Sequence, residues 1–347
     1  MKFLKNNIER FYKMQIFNFK NAPLRVFGSP LFYKTGKLER LPDEVAAVIT
    51  SPYLGKRNPG ARVCFRTNAP KFTVKIELGS CNVDIGMALY AAQSANVLIG
   101  DRKNPFFAGL LFPSKYGELV FEKEIYKKDA NTDMEDVTIF LPRNEPVVDV
   151  EISVEDGYIV EEPTPYADIK PIVYYGSSIT EGGCCTMPIN AYNAIISNHL
   201  NVDYVNLGFS GSCKAEDEVC DYIRDNFDMS ILVYDYDHNT PTEEHLEKTH
   251  ERFLLRFREK HPDVPVIMMS RPLNIYKNDD ARRAIIRKTY ENAIARGDKN
   301  VYFIDGESFF EGEDAYRCLV DMCHPNDYGF TLMAKRVEPV IREILGI

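Results

Sequence analysis

The feature that most limits the fold is a change of hydrophobic period partway along the chain. Over roughly residues 14–154, apolar side chains recur at every second position. Phe72, Val74, Ile76 and Leu78 alternate with Lys71, Thr73, Lys75 and Glu77, and Val148, Val150, Ile152 and Val154 alternate with Asp149, Glu151 and Ser153. Successive side chains of a strand point to opposite faces, so this pattern dictates strands with one buried face and one wet face. Further strands are expected over 62–67, 83–90, 118–126 and 137–141, set apart by clusters of Gly, Pro, Asn and Asp. Short strands at this spacing predict an all-β sandwich of the jelly-roll kind.

An acidic stretch over 161–170, with Pro163 and Pro165, reads as a connector, and beyond it the period changes. Apolar runs at 172–175, 204–207, 231–234, 266–269 and 301–304 alternate with helical patterns. In the helix expected over 242–260, Leu246, Phe253, Leu254 and Phe257 form one stripe, and a second helix is expected over 281–296. Strand–helix alternation implies a parallel sheet with helices on both faces. A chain of 347 residues exceeds the usual size of one core. Two domains are therefore expected, at 1–165 and 166–347.

Composition removes several classes of function. With 45% hydrophobic and 27% charged residues the chain is an ordinary globular sequence, and its net charge of -9 argues against a nucleic-acid partner held through phosphates. Twenty Tyr and 21 Phe with no Trp read as core aromatics. Residues 1–12 place Lys2, Lys5, Glu9 and Arg10 among their apolar positions, which reads against a secretory leader, and no run approaches the length of a spanning helix. None of the eight cysteines forms a C-x-x-C pair, so reduced thiols in a cytoplasmic setting are expected, Cys184 and Cys185 included. His245 and His250 are five apart, where a helical zinc pair needs four. With His199 and His261 they are expected at the surface.

Ligands of an open parallel sheet bind beyond the carboxyl ends of its strands, so the residues that follow each strand carry the functional reading. After the first comes Gly176-Ser177-Ser178-Ile179-Thr180, where a serine on a sharp strand-to-helix turn would expose its hydroxyl near backbone N–H groups. The second is followed by Gly208-Phe209-Ser210-Gly211 and the third by Asp235-Tyr236-Asp237-His238-Asn239-Thr240. Before the last helix stands Asp321-Met322-Cys323-His324, a spacing that lets a carboxylate hold the imidazole Nδ1–H and leave Nε2 as a base. Each loop alone has an ordinary structural explanation. Together they lie at one edge of one sheet and supply a nucleophile, oxyanion donors and an oriented base.

This constellation resembles the SGNH/GDSL hydrolases over residues 171–347. The first block looks like G-D-S-[LI]-T with Ser in place of Asp, which places the nucleophile at Ser178. Gly208 matches the second-block glycine and Asn239 the third-block asparagine, although Asp-His-Asn-Thr stands where G-x-N-D is usual. Asp321 and His324 match D-x-x-H. The resemblance implies a flavodoxin-like three-layer αβα hydrolase domain, a triad of Ser178, His324 and Asp321, and an oxyanion hole of Ser178, Gly208 and Asn239. No cofactor or metal is implied. The N-terminal half is similar to the β-sandwich that precedes some carbohydrate acetyl esterases, which implies an O-acetylated sugar as the small-molecule substrate.

Two other readings remain open at this point. The run from Ile231 to Asp237 also resembles the D-x-D start of HAD-type magnesium-dependent phosphatases, with Asp235 as nucleophile. A non-catalytic carbohydrate-binding protein could also retain a hydrolase-like fold.

Overall fold

The computed structural model describes residues 13–82, 86–272 and 279–347. Residues 1–12, read above as lacking a leader, and positions 83–85 of the strand expected over 83–90 lie outside them.

The first half carries β1 (Met14–Asn18), β2 (Arg25–Phe27), β3 (Arg62–Thr67), β4 (Lys71–Leu78) and β5 (Ala95–Ile99). It continues with β6 (Phe106–Leu111), β7 (Val120–Tyr126), β8 (Glu135–Phe140), β9 (Val147–Glu155) and β10 (Val160–Glu161). One sheet runs β1-β9-β4-β7 and the other β10-β3-β8-β5-β6, with β2 also paired to β3. The pairings are antiparallel, and register places Val74 opposite Ile152 and Ile76 opposite Val150. The period-two pattern thus puts both sets on one face. There they pack against Phe65, Val97, Val137 and Ile139 of the second sheet, each fully buried side chain contributing about 1.5–3 kcal/mol.

The strand expected over 83–90 is not formed within the described residues. Leu89–Gln93 is a short helix, and β5 and β6, which the sequence reading omitted, follow it. Both are continuous apolar runs without alternation, a pattern that periodicity alone does not separate from buried helix.

The second half forms a parallel sheet from β11 (Ile172–Gly176), β12 (Tyr204–Gly208), β13 (Ile231–Asp235), β14 (Val266–Met269) and β15 (Val301–Ile304). Their order is β12-β11-β13-β14-β15, the flavodoxin-like arrangement. Alternate side chains of β11 feed two cores: Val173 and Tyr175 on one face, Ile172 and Tyr174 on the other. Helices Asp217–Asn226, Glu243–Arg258 and Asp279–Ala295 cover the first face, and Tyr192–Leu200 and Asp327–Leu345 the second. Thr242 starts the Glu243–Arg258 helix by accepting from the His245 N–H at 3.1 Å.

His250 corrects the expectation of a surface histidine. It lies on the apolar stripe between Leu246 and Phe253, is 1% exposed, and bonds Thr289 Oγ1 through Nδ1 at 2.9 Å. Burial pushes its pKa down to about 3, so the ring is neutral. Among the described residues no helix is long and apolar enough to cross a membrane.

The two halves share more than a connector. Leu31, Leu41, Ala46, Ile49 and Leu54, from a run of short helical turns, join the α/β core beside Val219 and Tyr222. The buried Arg62 on β3 pairs with Asp203, just ahead of β12. Because β11 lies between β12 and β13, loops after these three strands meet at one sheet edge, where the site forms.

Candidate active site

At the end of β11 the chain passes from strand to helix within two residues. Gly176 is sterically required there, since a Cβ would overlap the Thr180 hydroxyl and the Asp235 carbonyl. Ser177 caps the short helix Ser178–Glu181, its Oγ accepting from the Ile179 N–H at 3.2 Å. That hydroxyl is occupied inside the fold. Ser178, by contrast, lines a cavity of about 710 Å³.

The facing wall is the loop that precedes the last helix. A bridge pairs Leu319 with Pro325, the Val320 N–H donates to the His324 carbonyl at 2.9 Å, and Asn326 N–H donates to the Cys318 carbonyl at 2.9 Å. Within this closed loop, Asp321 Oδ1 accepts from the N–H groups of Cys323 at 3.1 Å and His324 at 2.7 Å. Its Oδ2 takes the His324 Nδ1–H at 2.7 Å, and His324 Nε2 lies 2.7 Å from Ser178 Oγ. Burial works to raise the Asp321 pKa, but the bonds and charge of His324 and the Cys323 N–H outweigh it and hold the carboxyl below its ordinary value. With Nδ1–H committed to a carboxylate, Nε2 is left to accept the serine proton.

The loop after β12 requires a correction. Gly208 does not present its N–H to the cavity, because that N–H donates to Asn206 Oδ1 at 2.9 Å. Gly208 is the last residue of β12, within the sheet, and a Cβ there would lie 2.6 Å from Glu181 Cα. It is glycine so that the Ser178 helix can pack closely on the strand. Gly211, at φ 66, lines the cavity instead. Its signal was present in the sequence as the second glycine of the same loop, and it was missed because the strand was expected to end at 207.

After β13, Asn239 also lines the cavity. Its Oδ1 accepts from the Cys213 N–H at 3.2 Å, so its Nδ2 end is the one open to a ligand. Asp235, two residues before the polar turn, is fully buried and accepts from Thr180 Oγ1 at 3.1 Å. Burial and the neighbouring Asp237 push its pKa up to about 8. His238 is held well below its ordinary value by burial and by Arg271, His324 and Arg282.

The remaining lining includes Arg271, Arg282, Cys184 and Cys323, with Gly86 and Met87 from the β half. Burial, then the charge of Asp321, pushes the Cys323 thiol up to about 11, which keeps it protonated and a poor nucleophile.

The sequence profile of the GDSL-like lipase/acylhydrolase family matches residues 169–342. No curated protein matches the chain. Among solved structures, one described as a GDSL-like lipase from Bacteroides ovatus ATCC 8483 is 25% identical, with a TM-score of 0.84 over 96% of this chain and 99% of that one. A salicylyl-acyltransferase, SsfX3, from a tetracycline biosynthetic pathway is 19% identical, with a TM-score of 0.80 over 96% and 98%. A family two carbohydrate esterase from Clostridium thermocellum, in complex with cellohexaose, is 14% identical, with a TM-score of 0.61 over 83% and 93%.

Proposed function

Because this chain belongs to the GDSL-like lipase/acylhydrolase family, we propose that it cleaves its ester with Ser178 as nucleophile, His324 as general base and Asp321 orienting the ring. Membership of the family makes it a carboxylic ester hydrolase. The observation that carries the residue assignment is the unbroken chain from Asp321 through His324 to Ser178, each link 2.7 Å, opening on the cavity of about 710 Å³.

In this mechanism His324 Nε2 takes the Ser178 proton as Oγ bonds to the ester carbonyl carbon. The negative charge that develops on the carbonyl oxygen is met by the Ser178 N–H, the Gly211 N–H and Asn239 Nδ2. A first-turn N–H has no intrahelical acceptor, which supports Ser178 as a donor. Collapse of the tetrahedral intermediate returns the proton to the departing alcohol, and a water activated by His324 then hydrolyses the acyl-enzyme.

For the substrate, an O-acetyl group on a carbohydrate is the proposal. It is supported by polar walls suited to a hydroxylated alcohol, from His238, Asn239, Arg271 and Arg282, and by the β-sandwich residues Gly86 and Met87 that close one side. Carbohydrate esterases that share the fold add an analogy. The spacing of the eight cysteines, none in a C-x-x-C pair, supports a reducing, cytoplasmic setting. The phosphatase reading has less support, since Asp235 is buried, bonded to Thr180 and protonated near neutrality, where a phosphoryl acceptor must be ionised and reachable. A purely binding role leaves the Asp321–His324–Ser178 alignment unexplained.

The test is hydrolysis of an aryl acetate. Ser178→Ala, with folding intact, is expected to lower kcat by about 10⁴ to 10⁶. Unchanged turnover in that variant contradicts the assignment.

A further inference from the structure

Arg40 is 1% exposed and, among the described residues, has no carboxylate within ion-pair distance. Burying a guanidinium without a counter-ion is costly unless its donors are met. Here backbone carbonyls meet them. Nε donates to Arg57 at 2.9 Å, one terminal nitrogen to Leu54 at 2.7 Å, and the other to Asn206 at 3.2 Å and Gly208 at 2.5 Å. The guanidinium carbon lies 4.4 Å from the centre of the Phe209 ring.

Asn206 and Gly208 are alternate residues of β12, and β12 is an edge strand. Their outward carbonyls therefore lack a neighbouring strand, and Arg40 stands in its place. The turn that follows is bonded peptide by peptide. Phe209 N–H donates to the Gly176 carbonyl at 2.8 Å, and Ser212 N–H donates to the Phe209 carbonyl at 3.0 Å. Ser210 gives both its N–H, at 2.8 Å, and its hydroxyl, at 2.5 Å, to Glu181 Oε2 on the nucleophile helix. Cys213 N–H holds the Asn239 amide at 3.2 Å. Within this turn, and among the described residues, the Gly211 N–H has no protein acceptor.

We propose that Arg40 is a positioning residue, which grips the end of β12 from outside and thereby sets the Gly211 and Asn239 donors against Ser178. This rests on the function proposed above. It assigns a residue of the N-terminal half to the geometry of the reaction. Arg40 touches no reacting atom, so its loss acts through the turn.

The test uses the full chain with Arg40→Met and Arg40→Lys, each normalised to sites titrated by a fluorophosphonate. Steady-state kinetics on an aryl acetate are read beside inhibition by an arylboronic acid, whose tetrahedral adduct mimics the charged intermediate. Arg40→Met is expected to lower kcat per titrated site by about 10- to 100-fold, with little change in KM and a parallel loss of boronate affinity. A single ammonium cannot span the four carbonyls, so Arg40→Lys is expected to lose about 10-fold. If Arg40→Met gives no titratable sites, Arg40→Lys decides. Full turnover per site in Arg40→Lys, or a loss of activity that follows only the folded fraction, overturns the proposal. Ser178→Ala separates the two claims: if it remains active, the function itself fails, whatever Arg40 does.

Discussion

Replacing Asp235 by Asn tests the buried floor of the site and separates the esterase from the phosphatase reading. The Asp235 carboxyl is fully buried, its Oδ2 accepts from Thr180 Oγ1 at 3.1 Å, and its Oδ1 has no partner among the described residues. Burial, reinforced by Asp237, pushes the pKa from 3.8 to about 8. A carboxyl whose folded value exceeds its unfolded one binds its proton more tightly in the folded state. Its contribution to stability is therefore intact below about pH 4 and is lost as pH rises toward about 8. The maximal slope is about 1.4 kcal/mol for each pH unit. Site relaxation lowers this, and we expect Asp235→Asn to gain at least about 2 kcal/mol relative to the parent between about pH 5 and pH 8. The amide keeps the Thr180 bond and carries no charge to bury. Urea unfolding of both proteins at the two pH values measures the difference, and aryl acetate hydrolysis should be retained. A variant whose deficit widens with pH, or whose esterase activity disappears, refutes the reasoning.

Three further outcomes follow from particular contacts. Gly208→Ala would drive a Cβ into the Glu181 backbone, and it is expected to lower the melting temperature and the yield of titratable Ser178 together; a stable variant with only a kcat defect would restore Gly208 as an oxyanion donor. Asn239→Ala should lower kcat by about 10² to 10³ with little change in KM; full activity would leave two backbone donors. The core shared across the boundary expected at 165/166 predicts that residues 166–347 expressed alone will be poorly packed, because Leu31, Leu41, Ala46, Ile49 and Leu54 would no longer cover the α/β core. A cooperative, monomeric fragment by calorimetry would contradict that.

What was legible in the sequence was local. Asp321 and His324 are three residues apart and Ser178 sits in a five-residue block, so each signal survives without knowledge of the fold. The parallel sheet was legible for the same reason, since β11 to β15 are short apolar runs between long helical patterns. The choice between Gly208 and Gly211 depended on one residue of strand length, and a strand's end is set by hydrogen bonds that no local pattern encodes. His250 could have been found, because it continues the stripe of Leu246, Phe253 and Phe257. Arg40 could not. It lies more than 160 residues from the two β12 carbonyls it grips, in a segment without periodicity, and only the packing of the two halves brings it to β12.

The most direct measurement of the central claim is the site of covalent labelling. Treating the native protein with a fluorophosphonate and fragmenting the peptide that carries Gly176-Ser177-Ser178 should locate one adduct per chain on Ser178. That adduct should persist in Ser177→Ala, whose hydroxyl only caps a helix, and vanish in Ser178→Ala. An adduct on Ser177, or labelling that survives Ser178→Ala, would contradict the account.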